Sequence, residues 1–156
     1  LVCQDGQLAE AAKEAYRVSQ TRQILHIDDF CNECGDCATF CVHHGKPYTE
    51  KPRLFFKRED YELEQDNAYH IEKVEQGWVM WGRKKQADSQ LTLRTDTDEV
   101  WFENDRVRIG FKPAGFVVTC MELKQPFDGT LSLEDAAEMY VILKGLSTSM
   151  QYLPVL

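Results

Sequence analysis

The stretch FCNECGDCATFCVHHGKPY, residues 30–48, carries four of the chain's six cysteines: Cys31, Cys34, Cys37 and Cys41. Cysteines in the pattern C-x2-C-x2-C-x3-C can bring several thiolates to one point, and the pattern is the bacterial-type iron-sulfur run whose first three cysteines ligate a [4Fe-4S] cube. Gly35 lets the chain turn tightly between ligands and leaves backbone N–H groups free to point at sulfur. Structural zinc is the second chemistry that such a run can hold. A disulfide framework fits poorly, because bridges within one short segment would constrain very little of the unfolded chain.

The number of thiols limits the site. Two cubic clusters with all-cysteine ligation need about eight thiolates, and outside the run the chain has only Cys3 and Cys120. It can complete one cluster by itself. In two-cluster ferredoxins the fourth cysteine of the run ligates the other cluster. Either Cys41 closes the cluster locally, or Cys3 or Cys120 is the fourth ligand and Cys41 reaches toward a cluster completed elsewhere.

Composition narrows the class of function. A net charge of −8 without a basic stripe argues against nucleic acid and anionic membrane. No stretch approaches the roughly 20 apolar residues that cross a bilayer, and Leu1 is not followed by the basic head and apolar run of a signal peptide. Reduced cysteines without export imply a cytoplasmic setting poor in oxygen. Neither G-x-G-x-x-G nor a Walker pattern occurs, and no nucleophile stands at a fixed spacing from a base, so the chain itself offers no nucleotide site and no catalytic residue.

Around the run, the pattern predicts short elements. From Leu8, the residues Ala11, Ala12, Ala15, Tyr16 and Val18 fall near helical spacing with Asp5 as a cap, so residues 1–22 are expected to hold a helix, the end of an upstream domain. Ile24, Leu25 and Ile27 predict a strand that delivers Cys31, with His26 as a hydrogen-bonded structural residue and His43 and His44 as loop residues. From Tyr69 the period changes to two. Trp78–Trp81, Leu91 and Leu93, Val100–Phe102, Val107–Phe111 and Phe116–Leu123 predict four or five antiparallel strands, with a tight turn at Asn104-Asp105 and Cys120 in the core. Ser132, Asp135 and Gly145 bracket a closing helix whose stripe of Ala136, Tyr140 and Leu143 covers the sheet.

The block from Ile24 to Phe55, and in it C-N-E-C-G-x-C-A-T-F-C with the following G-K-P-Y, resembles the C-terminal iron-sulfur region of the putative selenate reductase iron-sulfur subunit family, which is akin to the small subunit of glutamate synthase. Val42 departs from the proline of that pattern, and of the cysteine-rich stretch that precedes the block in the family only Cys3 stands here. The resemblance implies a module passing electrons between iron-sulfur clusters and a flavin fed by a nicotinamide cofactor, with FAD and NAD(P)H held in upstream domains.

The expected fold is therefore α+β, in three parts: an N-terminal helix (1–22), a ferredoxin-like 4Fe-4S segment (23–60), and a small antiparallel sheet with a C-terminal covering helix (66–156). The expected function is an electron-relay module of an NAD(P)H- and flavin-dependent oxidoreductase, with flavin or iron-sulfur domains or subunits as partners. A zinc-stabilised structural or interaction module is the alternative.

Overall fold

Alternation along Ala68–Val74 shows how the sheet is built: Tyr69 and Ile71 point into one core, whereas Ala68 and His70 point into another on the opposite face. Residues one apart on a strand face opposite ways, so a sheet buried on both sides must sort its side chains in this manner. The structure is a computed structural model and describes residues 1–18, 24–40 and 46–153.

The chain opens with β1 (Val2–Gln4) and β2 (Gln7–Ala9), followed by β3 (His26–Ile27), α1 (Asp36–Phe40), α2 (Pro47–Glu50), β4 (Arg53–Phe55) and α3 (Arg58–Leu63). A run of six strands comes next: β5 (Ala68–Val74), β6 (Gly77–Lys84), β7 (Ala87–Arg94), β8 (Glu99–Asn104), β9 (Val107–Lys112) and β10 (Val117–Leu123). Last are β11 (Gly129–Thr130) and α4 (Glu134–Ser149). One sheet of eight strands has the order β10-β9-β8-β7-β6-β5-β4-β3, and a second of three has the order β11-β1-β2.

From β5 to β10 every neighbour is antiparallel, while β3, β4 and β5 run parallel. Parallel neighbours cannot be joined by a tight turn and need a crossover of a dozen residues or more. The cysteine loop, α1 and α2 belong to the crossover from β3 to β4, and α3 belongs to the one from β4 to β5. The cysteine run is thus a connection of the sheet itself.

The larger core joins Leu54, Tyr69, Ile71, Met80, Leu91, Val100, Phe102 and Ile109 of the sheet to Ala136, Met139, Leu143 and Leu146 of α4. Helix α4 lies close because Gly82 has no side chain: a Cβ there would stand 3.1 Å from the Met139 methyl. At the helix edge Lys84 Nζ donates to Glu138 at 2.6 Å, and Tyr69 Oη donates to the same carboxylate at 3.2 Å. On the other face, near the cysteine-bearing edge, Phe55, Tyr61, Ala68 and Trp81 form a smaller core under α3.

Four expectations need correction. No helix forms over the described part of residues 1–22; Asp5 and Gly6 both adopt positive φ (52° and 73°) and turn the chain into the β1–β2 hairpin. Asp-Gly is the pair that such a two-residue turn selects, and the hairpin's other neighbour, β11, lies more than a hundred residues away. The sheet has eight strands where four or five were expected, since β3, β4 and β5 extend it. No gap separates 23–60 from 66–156, because β4 pairs with β5 across that boundary. Finally, α4 runs past Gly145 to Ser149 and its N-cap position falls on Leu133, with Ser132 Oγ accepting from the Glu134 N–H at 3.1 Å. The turn at Asn104 holds: its Oδ1 accepts from the Arg106 and Val107 N–H groups, each at 2.9 Å.

Two glycines give opposite expected outcomes in urea unfolding. At Gly77, with φ +145°, a Cβ would stand 1.9 Å from the Leu93 carbonyl oxygen, so Gly77→Ala is expected to lose at least about 2 kcal/mol. Gly145 is exposed in the middle of α4's last turns with open space around it, so Gly145→Ala is expected to gain about 0.5–1 kcal/mol.

Candidate functional site

The cysteine loop leaves the sheet at its outermost strand. Pairing of His26 with Arg53 and of Ile27 with Leu54, and a bond from the His26 N–H to the Pro52 carbonyl at 2.9 Å, hold β3 in place. A single 3-10 turn, Asp28–Phe30, follows, and the Cys31 N–H closes it on the Asp28 carbonyl at 2.8 Å. Asp29 Oδ2 accepts from the Phe56 N–H at 2.8 Å, and the Phe30 ring stands edge-on to the Phe56 ring with centroids 5.4 Å apart. Both contacts tie the loop's first turn to the chain just after β4.

Beyond that turn, Glu33 and Gly35 adopt left-handed conformations, φ 53° and 82°, on either side of Cys34. A Cβ at Gly35 would meet nothing within 4 Å, so backbone conformation and not space favours glycine there. The Glu33 N–H donates to Cys31 Sγ at 3.2 Å, and the Cys34 N–H donates to Asn32 Oδ1 at 3.2 Å. Cys37 lies in the first turn of α1. Cys31 and Cys37 are half-buried, Cys34 is exposed, and all three thiols are unbridged.

The structure therefore brings Cys31, Cys34 and Cys37 onto one loop without converging them: among the described residues no three His, Cys, Asp or Glu side chains form a metal-binding group. Cys41, His43 and His44 lie outside the described residues. The donors nonetheless suit a thiolate-bound centre in kind. They are unbridged sulfurs within reach of solvent, and one already receives the backbone N–H bond that stabilises a thiolate.

The other two cysteines are placed differently. Cys3 is buried in the central strand of the small sheet, opposite Leu8 and Gly129. Cys120, expected in the core, is instead half-buried on β10, where the register shifts, with its sulfur 4.0 Å from a Glu122 carboxylate oxygen. Strands β10 and β3 are the two outermost of the eight, so Cys120 and the loop belong to opposite edges of the sheet.

Beside the loop is an ionic cluster that no sequence pattern announced. The guanidinium of Arg53, almost fully buried, bonds the Glu64 carboxylate, donates to the Asp66 carbonyl at 3.2 Å and stands 3.8 Å from Asp28 Oδ1. His26 Nε2 is 4.0 Å from the same oxygen and has no hydrogen-bond partner. Burial raises the Asp28 carboxyl above the ordinary carboxylate range against the pull of Arg53. Burial likewise lowers the His26 imidazole against the pull of Asp28. His26 sits in the edge strand as expected, but the hydrogen bond expected of it is not made at Nε2, which is buried with only the Asp28 carboxylate nearby.

His70 escaped sequence reading altogether. Its buried ring is stacked between Tyr61, at 6.1 Å, and Trp81, at 5.6 Å, with Nδ1 3.0 Å from the Phe55 carbonyl and Nε2 3.1 Å from Glu72 Oε1. A histidine in an alternating strand gives no sign of such a role. The stack binds α3, β4, β5 and β6 together behind the loop.

A cleft of about 880 Å³ lies elsewhere, between residues 10–17 and a wall that includes Phe116, Leu133, Tyr140 and Val141; no cysteine lines it. Among the described residues no helix is long and apolar enough to cross a membrane.

No protein-family model matches the chain, and no solved structure does. Two curated proteins match in part, both named "Putative oxidoreductase YgfK", from Escherichia coli strain K12 and from Escherichia coli O157:H7. Each is 38% identical over 65 residues, which is 37% of this chain and 6% of the relative. The chain thus spans a small fraction of the relatives' length, and the similarity links part of it to part of a protein named as an oxidoreductase.

Proposed function

We propose that the chain is an electron-transfer iron-sulfur module of a larger NAD(P)H- and flavin-dependent oxidoreductase, with Cys31, Cys34, Cys37 and Cys41 holding one [4Fe-4S] cluster. The observation that carries this reading is the loop itself: three unbridged cysteines at ferredoxin-type spacing, half-buried or exposed, on a connection with left-handed residues at Glu33 and Gly35 and an N–H bond to sulfur. Partial similarity to an oxidoreductase supports a redox role, and the 6% share of those relatives fits a part rather than a whole enzyme. When bound, such a cluster takes up and returns single electrons.

The chain's own residues serve that role by position. β3 and the bond from Phe56 to Asp29 hold the loop's entry, one edge of the Phe30 ring meets Phe56, and the Glu33 N–H offers its dipole to a thiolate sulfur. In this reading Cys41 is the fourth ligand, and the opposite-edge position of Cys120 and the burial of Cys3 in the small sheet favour structural roles for those two. Flavin and nicotinamide, by the resemblance of the block at Ile24–Phe55, belong to other domains or subunits that exchange electrons with this one.

Material prepared without oxygen is expected to be brown, to bleach with dithionite, and to contain about four iron and four sulfide per chain. Colourless protein carrying one zinc would replace the relay with a zinc-clasped module. In the same assay Cys34→Ser is expected to lose or convert the cluster. Cys120→Ala and Cys3→Ala should each keep full iron content, while Cys3→Ala lowers stability by about 1 kcal/mol or more through the cavity it leaves. Loss of iron in either of the last two would transfer the fourth ligand to that cysteine.

A further inference from the structure

The chain has eight phenylalanines. Among the described residues the two that are exposed are Phe30, at 71%, and Phe40, at 81%, and they bracket Cys31, Cys34 and Cys37. The remaining six are buried or half-buried. Singly exposed apolar side chains are common, and Leu63 and Tyr152 are as exposed elsewhere, but among the described residues Phe30 and Phe40 are the large exposed ones that flank the cysteine loop.

Charge narrows what can dock there. From Ile24 to Phe40 there are four carboxylates, Asp28, Asp29, Glu33 and Asp36, and no lysine or arginine. Asp28 lies beside Arg53, and Asp29 accepts from the Phe56 N–H. Glu33 and Asp36 are exposed and, among the described residues, have no ion-pair partner. A second copy docked here about a two-fold axis would set these carboxylates against their own images, which disfavours self-association through this face. An anionic membrane surface is disfavoured for the same reason.

We infer that Phe30 and Phe40 are the apolar anchors of a docking face for a redox protein or domain whose matching surface has an apolar centre rimmed by lysine and arginine, with Glu33 and Asp36 as the acidic rim on this side. The inference rests on the electron-transfer reading for the partner's chemistry. The surface itself is defined by the exposed rings and the charge. Apolar anchors set how long a complex lasts, whereas rim charges set its encounter rate and salt dependence, so the two sets of residues have separable signatures.

The probe is cytochrome c, whose haem edge is ringed by lysines, titrated into the full chain prepared without oxygen. Binding is followed by calorimetry; electron transfer is followed with the chain first reduced by dithionite and freed of the excess, as reduction of ferric haem by one electron leaving the chain per haem. Binding is expected to weaken as salt rises. Phe40→Ala should weaken it about tenfold with the salt dependence unchanged, and Phe30→Leu several-fold. Glu33→Gln with Asp36→Asn should flatten the salt dependence, while Glu122→Gln on the opposite edge strand should change neither. Phe40 is too exposed for its loss to unfold the chain, so wild-type affinity in Phe40→Ala overturns the docking face. An effect of Glu122→Gln equal to that of the Glu33 and Asp36 pair also overturns it, since binding would then follow net charge alone. Binding with these signatures but without haem reduction in iron-free protein would uphold the face and remove the electron-transfer reading instead.

Discussion

The cysteine-bearing edge of the molecule depends on one buried cation. A guanidinium removed from water costs several kcal/mol unless it is paired inside the protein; one terminal nitrogen of Arg53 bonds Glu64 and the Asp66 carbonyl and the other faces Asp28 at 3.8 Å, while its buried Nε is left without a partner. Those partners lie on two connections: Asp28 at the start of the cysteine loop, and Glu64 and Asp66 after α3. Pairing one side chain therefore pulls both crossovers onto the three residues of β4. The strand is short, but all of it is buried, with Leu54 in the larger core and Phe55 in the smaller.

A long antiparallel sheet supports that edge. β5 to β10 provide stiffness through regular pairing, and α4 seals the larger core from one face. The loop's first turn is tied to β4 and to Phe56 just after it, and the His70 stack fixes α3 against β4, β5 and β6. This arrangement explains how a run of residues with few buried side chains can still hold defined turns. Asp29, Phe30 and Phe56 transmit the order of the sheet to the first cysteine by one hydrogen bond and one ring contact.

Much of this was legible in the residues, and the failures share a cause. Strand alternation after Tyr69, the turn at Asn104, the body of α4 and the cysteine run are local patterns, and the structure has each of those elements. What the sequence concealed is non-local. Asp5-Gly6 turns residues 2–9 into a hairpin whose other neighbour is the distant β11, while Ala11, Ala12 and Ala15, good helix formers, lie beyond β2 in neither helix nor strand. Parallel pairing of β3, β4 and β5 leaves no tight-turn signature, so the expected boundary between 23–60 and 66–156 falls inside a crossover of one sheet. Arg53 and His70 gained their roles from neighbours distant in sequence, such as Asp28 for one and Trp81 for the other. For the candidate site, the cysteines were visible as a pattern, but their common loop, their exposure and the opposite-edge position of Cys120 came only with the fold.

On the proposed function, the same geometry bears on how readily the site accepts charge. Adding an electron to a thiolate-bound cluster adds negative charge, and the loop already carries four carboxylates in a chain of net charge −8. The buried cation beside it, Arg53, is committed to Glu64 and cannot swing outward to compensate without leaving that carboxylate half-buried and unpaired. Coulomb repulsion therefore disfavours the reduced state, while exposure of Glu33 and Asp36 lets salt screen much of their share. A partner that brings lysines to that rim would reverse the sign of the local field at the moment of contact. Reduction would then be easier in the complex than in the free chain, and the electron would be taken up where there is somewhere for it to go.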